Sequence, residues 1–154
     1  MTENEKRRRN TARLVMIQSW RYLRRNPSVI GKSLALTLGW ATVRSKAYFQ
    51  YTKARGVTFE GRQRLLAKLQ GVEAQRISLR LKRDTTNRYD PNAVKVIATV
   101  DGIRQACVGF LSRNMASGVT EQLLAGKRCV LFYEGVTGGR DRRYGINLSV
   151  VIFG

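Results

Sequence analysis

The stretch Arg83-Asp84-Thr85-Thr86-Asn87-Arg88-Tyr89-Asp90-Pro91-Asn92-Ala93-Val94-Lys95-Val96 sets acids, amides, a phenol and bases side by side before an apolar run. Asn87, Asp90 and Asn92 have short side chains that bond neighbouring backbone groups, and Pro91 fixes one φ angle, so the loop can be rigid. A rigid loop displaying Asn, Tyr, Asp and Lys together suits a polar ligand. An Asx-stabilised turn with no ligand is the other reading the same residues allow. Asp84 and Asp90 invite a metal-nuclease reading, but two-metal chemistry needs several converging carboxylates, and residues 57–154 hold eight acids in all. Asp84 beside Arg83 and Lys82 reads instead as a local ion pair.

Other catalytic chemistry is excluded by composition. The 154 residues contain no histidine, so a Ser-His-Asp hydrolase, a Cys-His nucleophile and a His-zinc site are all ruled out. No GxxxxGK[ST] phosphate loop is present. The expectation is a binding protein with no cofactor. Its 29 Lys+Arg against 10 Asp+Glu leave a net charge of +19, which points to a polyanionic partner: DNA, RNA or an anionic membrane surface. Residues 1–56 carry +11 of that charge and residues 57–154 carry +8. The most apolar stretch, 34–43, is too short for a bilayer span, which needs about 20 residues. The N-terminus lacks the apolar core of a secretory signal. A cytoplasmic or nucleoid-associated location follows, nuclear in a eukaryote, without integral membrane association. Cys107 and Cys129 lie in apolar strand-like runs and read as reduced buried thiols, with a disulfide as the alternative.

The elements that would position the loop fall into two regions. In residues 1–56, Thr11 caps a helix running to about Arg25, where Asn26-Pro27 stops it. Ala12, Met16, Trp20 and Leu23 share one face of that helix. Ser28 caps a second helix to about Ala47, with Leu36, Trp40, Val43 and Ala47 on one stripe. Both tryptophans read as packing residues, and a helical hairpin or a single kinked arm both fit. In residues 57–154, Val57-Thr58-Phe59 is strand-like and Arg62 to Gln70 a short helix. Residues 75–82 alternate, with Ile77, Leu79 and Leu81 on one face and Arg76, Ser78, Arg80 and Lys82 on the other. After the loop comes the strand 93–100, and Asp101-Gly102 signals a hairpin to a strand over 103–111. Ser112 caps a helix to Leu124. A strand over Cys129 to Glu134, a glycine- and arginine-rich turn, and a final strand from Tyr144 to Phe153 complete the chain. Five or six short strands with one or two small helices make the fold class α+β, mainly β. The expected architecture is a small closed barrel behind a basic helical region.

The loop sequence resembles the signature of the HIRAN domain, Arg-x-x-x-Asn-x-Tyr-Asp-Pro-Asn-Ala-Val/Ile-x-Val. Val57-Thr58-Phe59-Glu60-Gly61-Arg62-Gln63 is similar to that family's opening strand and turn. Val108-Gly109-Phe110-Leu111-Ser112-Arg113 is similar to its strand-to-helix junction. The likeness spans roughly residues 57–152 and leaves the N-terminal helical region outside it. It implies a stand-alone member with an OB/SH3-like barrel that binds single-stranded DNA, at the 3′ end in the best-understood relatives.

Carried over by position, the resemblance makes Tyr89 stack on or flank a terminal base and Asp90 accept a hydrogen bond from the 3′-hydroxyl. Asn87 would hold the loop or touch the nucleotide, and Lys95 and Arg113 would meet phosphates. Helicase-linked members carry paired aromatics after the first strand, whereas here the stretch is Glu60-Gly61-Arg62-Gln63. Arg62 is the substitute, stacking on a base or gripping a phosphate. Phe110 is either a second ring or a core residue. Arg7, Arg8, Arg9, Arg80, Lys82, Arg140, Arg142 and Arg143 are the expected electrostatic contacts. Single-stranded DNA is the first partner, RNA the second, with a protein partner in a replication, repair or defence complex alongside. The rival functional classes are a phage or mobile-element inhibitor of a host nucleic-acid machine and a basic helical anchor on a membrane surface.

Overall fold

The computed structural model describes residues 1–25 and 30–154. The Asn26-Pro27 stop and the Ser28 cap lie outside the described residues. Helix α1 spans Glu3–Arg25 and starts well before Thr11. Its start is a reciprocal cap: Glu5 N–H donates to Thr2 Oγ1 at 3.2 Å, and Thr2 N–H donates to Glu5 Oε2 at 2.6 Å. Thr11 sits mid-helix with its hydroxyl on Arg7 O.

Helix α2 spans Lys32–Val43 and ends before Ala47. The buried stripes are Val15, Ser19 and Tyr22 on α1, and Ala35, Leu38 and Gly39 on α2. This corrects the expected faces, since Met16, Trp20, Leu36 and Trp40 are all exposed. Close approach decides the matter: a Cβ on Gly39 would collide with Ser19 Oγ and lie 2.8 Å from Val15 O. Small residues let the backbones meet, and the bulky side chains are left outside.

Residues Ala47–Lys53 form a strand, β1, not the end of a helix. The remaining elements are α3 (Arg62–Gln70), a 3₁₀ turn (Ala74–Arg76), β2 (Ile77–Arg83), β3 (Val94–Val100), β4 (Arg104–Phe110), α4 (Arg113–Leu124), β5 (Arg128–Gly139) and β6 (Arg142–Phe153). Val57-Thr58-Phe59 is a turn rather than a strand, because Glu60 and Gly61 adopt positive φ and Arg62 N–H bonds back to Phe59 O. The glycine- and arginine-rich segment 135–143 is mostly ladder, so β5 and β6 are longer than expected. Gly135 and Gly138, both at positive φ, flank or sit within the two register shifts of their pairing. Asp101 and Gly102 take positive φ at the centre of a turn closed by Ile103 N–H on Val100 O, within a three-residue connection, and the Arg76 guanidinium grips the Asp101 carboxylate.

The strands pair as two antiparallel three-stranded sheets, β1-β6-β5 and β2-β3-β4. The fold is α+β, and among the described residues the ladders form no closed barrel. One bridge joins the sheets at a corner, where Arg55 and Phe110 exchange backbone hydrogen bonds of 2.7 and 2.8 Å. A Cβ on Gly109 would lie 2.7 Å from Arg55 O, so glycine is what lets the two backbones cross there.

The main core lies between the sheets. Leu79, Val94 and Val96 meet Leu131, Ile146, Leu148 and Val150 there, closed by Leu66 and Leu69 of α3 and Ala116 and Val119 of α4. The opposite face of the β6 sheet has its own cluster: Val130, Phe132, Val151 and Phe153 against Tyr22, Ile30, Ala35 and Leu38. Tyr22 stacks on Phe132, and Arg25 lies over Phe49 and Phe132 while pairing with Glu134. The basic helices therefore cover a sheet face, and β1, within residues 1–56, is paired along its length with β6. Cys107 and Cys129 are free thiols, and burial pushes the Cys129 thiol up to about 12. No described helix is long and apolar enough to cross a membrane.

Candidate nucleic-acid interface

The β2–β3 loop is held by its own side chains. Asp84 N–H donates to Ala93 O at 2.8 Å and closes its base. Asn87 Oδ1 accepts from Tyr89 N–H at 2.9 Å and Asp90 N–H at 3.0 Å, and Asp90 Oδ1 accepts from Asn92 N–H at 2.9 Å. These are the Asx turns that short polar side chains around a proline favour. From α4, Arg113 Nη2 donates to Tyr89 O at 2.8 Å. Several of the loop's backbone groups are bonded in this way, while the Tyr89 residue is 90% exposed.

Beside the loop lies a cavity of about 590 Å³. Arg62, Asn87, Tyr89, Lys95 and Phe110, all expected site residues, line it together. Arg62 does not play its expected part. The residue is 6% exposed, its Nη1 donates to Gly56 O at 2.7 Å, its Nη2 to Glu60 at 3.0 Å, and its guanidinium lies 5.2 Å from the Phe110 ring centre. It braces the 56–60 turn and half-buries Phe110 rather than standing free for a base or phosphate. Asp90 and Arg113 are not among the lining residues: one caps the turn, the other props the loop.

The sequence reading missed Phe59, Glu60, Asp84 and Cys107, which also line the cavity. Phe59 is 66% exposed and adds a ring to the cavity wall. Asp84 pairs not with Arg83 or Lys82 but with Lys95, whose Nζ is 3.9 Å from its Oδ2. The hydrogen bond from the Thr86 hydroxyl, with help from the Thr86 amide, Lys95 and Asn87, outweighs desolvation and holds Asp84 below the usual carboxylate range.

The other expected basic contacts are spread over the surface. Arg7, Arg8 and Arg9 are exposed near the start of α1, and Arg140, Arg142 and Arg143 are exposed at the β5–β6 tip. Arg80 and Lys82 are exposed on β2, with Arg80 bonded to Gln105. None of these lines the cavity. Among the described residues no group of three or more His, Cys, Asp or Glu side chains is placed to hold a metal ion.

Two antiparallel sheets joined at one corner thus flank a cavity lined by aromatic, polar and charged side chains of both signs. The family model of the HIRAN domain matches residues 48–152, well over half of the chain, and the chain belongs to the HIRAN family. The HIRAN domain is a nucleic-acid-binding module and is not catalytic on its own. The match begins within β1, so it takes in both sheets. A crystal structure of a protein from Lactobacillus plantarum matches with a TM-score of 0.46 and 16% identity, covering 68% of this chain and 95% of that one. No curated protein matches the chain.

Proposed function

We propose that the cavity takes the 3′-hydroxyl end of a single strand, DNA in the first place. The observation that carries this reading is a tyrosine left 90% exposed on a loop whose flanking backbone is held by Asx turns. Tyr89 and Phe59 offer two faces for the terminal base, each stack worth roughly 1–3 kcal/mol without sequence preference. Lys95 meets a phosphate, Asp84 keeping its ammonium in place. Asp90, in the loop beside the cavity rather than in its lining, spends one oxygen on the Asn92 amide and offers the other to a 3′-hydroxyl that reaches it. A carboxylate beside DNA is repelled by phosphate, so it discriminates for a terminus that brings a donor. The six strands work as an open form of the small barrel the family resemblance implies, and the basic helices add phosphate contacts.

The test is anisotropy titration with matched oligonucleotides ending in 3′-hydroxyl or 3′-phosphate, on wild type and Asp90→Asn. Asparagine keeps the turn cap but loses the charge. Wild type should prefer the hydroxyl by about tenfold, the scale of a hydrogen bond to a charged group, and Asp90→Asn should lose the preference. Equal affinities in all four titrations would sink end recognition. A second reading, an inhibitor docking on a nucleic-acid machine, draws support from exposed Met16, Ile17, Trp20, Leu36 and Trp40 on the helices. It requires a protein partner bound with nucleic acid absent.

A further inference from the structure

We propose that the bound strand leaves the Tyr89 cavity along a second groove, between α4 and β1, which makes the site several nucleotides long. This rests on the end-binding reading above and extends it. The groove holds about 570 Å³ and is lined by Lys46, Tyr48 and Gln50 from the β1 side, Asn114 and Gly118 from α4, and Lys127 beyond it.

Four observations converge on a polynucleotide. The groove and the Tyr89 loop both meet the start of α4: Arg113 holds the Tyr89 carbonyl at 2.8 Å, and the next residue, Asn114, lines the groove. Its charge is one-sided, since two exposed lysines line it and no aspartate or glutamate does, whereas the Tyr89 cavity has both Glu60 and Asp84. It carries a stacking platform, Tyr48, 59% exposed with its hydroxyl tied to Gln50 Oε1 at 2.7 Å. Finally, Gly118 is a glycine inside a helix where a Cβ would meet nothing in the fold. Glycine weakens a helix, and here no packing demands it. The bare backbone lowers the groove floor so that a sugar-phosphate chain can lie close. The acids lie in and beside the Tyr89 cavity, and the lysines that carry the continuing strand lie in the groove.

The test is a calorimetric series of 3′-hydroxyl oligothymidylates from about two to about ten nucleotides, running from below to well within the roughly 4–16 nucleotides that a single small barrel covers. Wild type should gain about tenfold or more in affinity between the shortest and longest. Lys46→Glu with Lys127→Glu should remove that gain and leave dinucleotide affinity unchanged. Gly118→Leu, which improves helix propensity at an exposed position while filling the groove, should do the same with its unfolding midpoint held or raised. No gain with length in wild type, or a gain that all these variants keep, would overturn the proposal and leave the groove to another occupant, such as a peptide along β1. Should the ten-mer bind and depend on Lys46 and Lys127 while 3′-phosphate ends bind as well as hydroxyl ends, the groove stands and the end-binding reading falls.

Discussion

Tyr89 and Arg62 line the same cavity and act through different states. Tyr89 touches little of its own fold, so Tyr89→Ala should weaken oligonucleotide binding by roughly 1–3 kcal/mol with an unchanged unfolding midpoint. Arg62 is buried on the Gly56 carbonyl and over Phe110. Arg62→Ala should cost about 1–3 kcal/mol of stability by leaving that carbonyl unpaired, read by denaturant unfolding. Affinity lost without stability would return Arg62 to the ligand. Asp101 gives a pH prediction of the same scale. The hydrogen bond from Arg76, with Coulombic help from Arg76 and Arg104, holds its carboxyl below the usual range despite desolvation. A lowered folded value stabilises above the unfolded value, about 3.9, and the gain fades as pH falls through the folded one. Wild type should thus lose stability faster than Asp101→Asn below about pH 4. Parallel acid-unfolding curves would exclude the pair as a source. At this scale the loop was legible, because Asx turns are local chemistry. Asp84 was not, because its partner Lys95 comes from the far side of a loop that closes through Ala93.

At the scale of elements, local pattern and tertiary choice part company in the helices. Helix α3 lies at Arg62–Gln70 as expected, and β2 through α4 follow their alternation, turn and cap signals. Helix α1 offers Met16 and Trp20 as the richer apolar face, yet it buries Val15, Ser19 and Tyr22. A face is chosen by what it must approach, and Gly39 with Ser19 permits a shorter distance than tryptophan would. The strand β1 was hidden for a related reason. Its Tyr48, Phe49 and Tyr51 are exposed at a sheet edge, so no polar-outside alternation marks it. The first turns of α1 are free of packing, and this makes them a clean probe. Arg7→Glu, Arg8→Glu and Arg9→Glu together should flatten the salt dependence of single-strand binding by roughly 0.7 per lost phosphate contact. An unchanged slope would remove those turns from the interface.

For the whole molecule, the +19 charge is less a uniform coat than a background against which a few acids matter. Glu60 and Asp84 face the cavity, and Asp90 sits in the loop beside it. The charge and the loop motif were enough to anticipate nucleic acid. Sheet connectivity was not, since nothing local tells the β1–β6 ladder from a helix extension. That ladder has a consequence in time. The central strand of its sheet is β6, so Ala47 waits for Phe153 and Val130 for Val151 before either neighbour is paired. The β2-β3-β4 meander closes through short connections and can form early, whereas the other sheet depends on contacts spanning most of the sequence. As the chain leaves the ribosome, β1 and β5 carry open edges until residues 142–153 emerge. The sheet that holds the basic helices therefore cannot close before residues 142–153 are available.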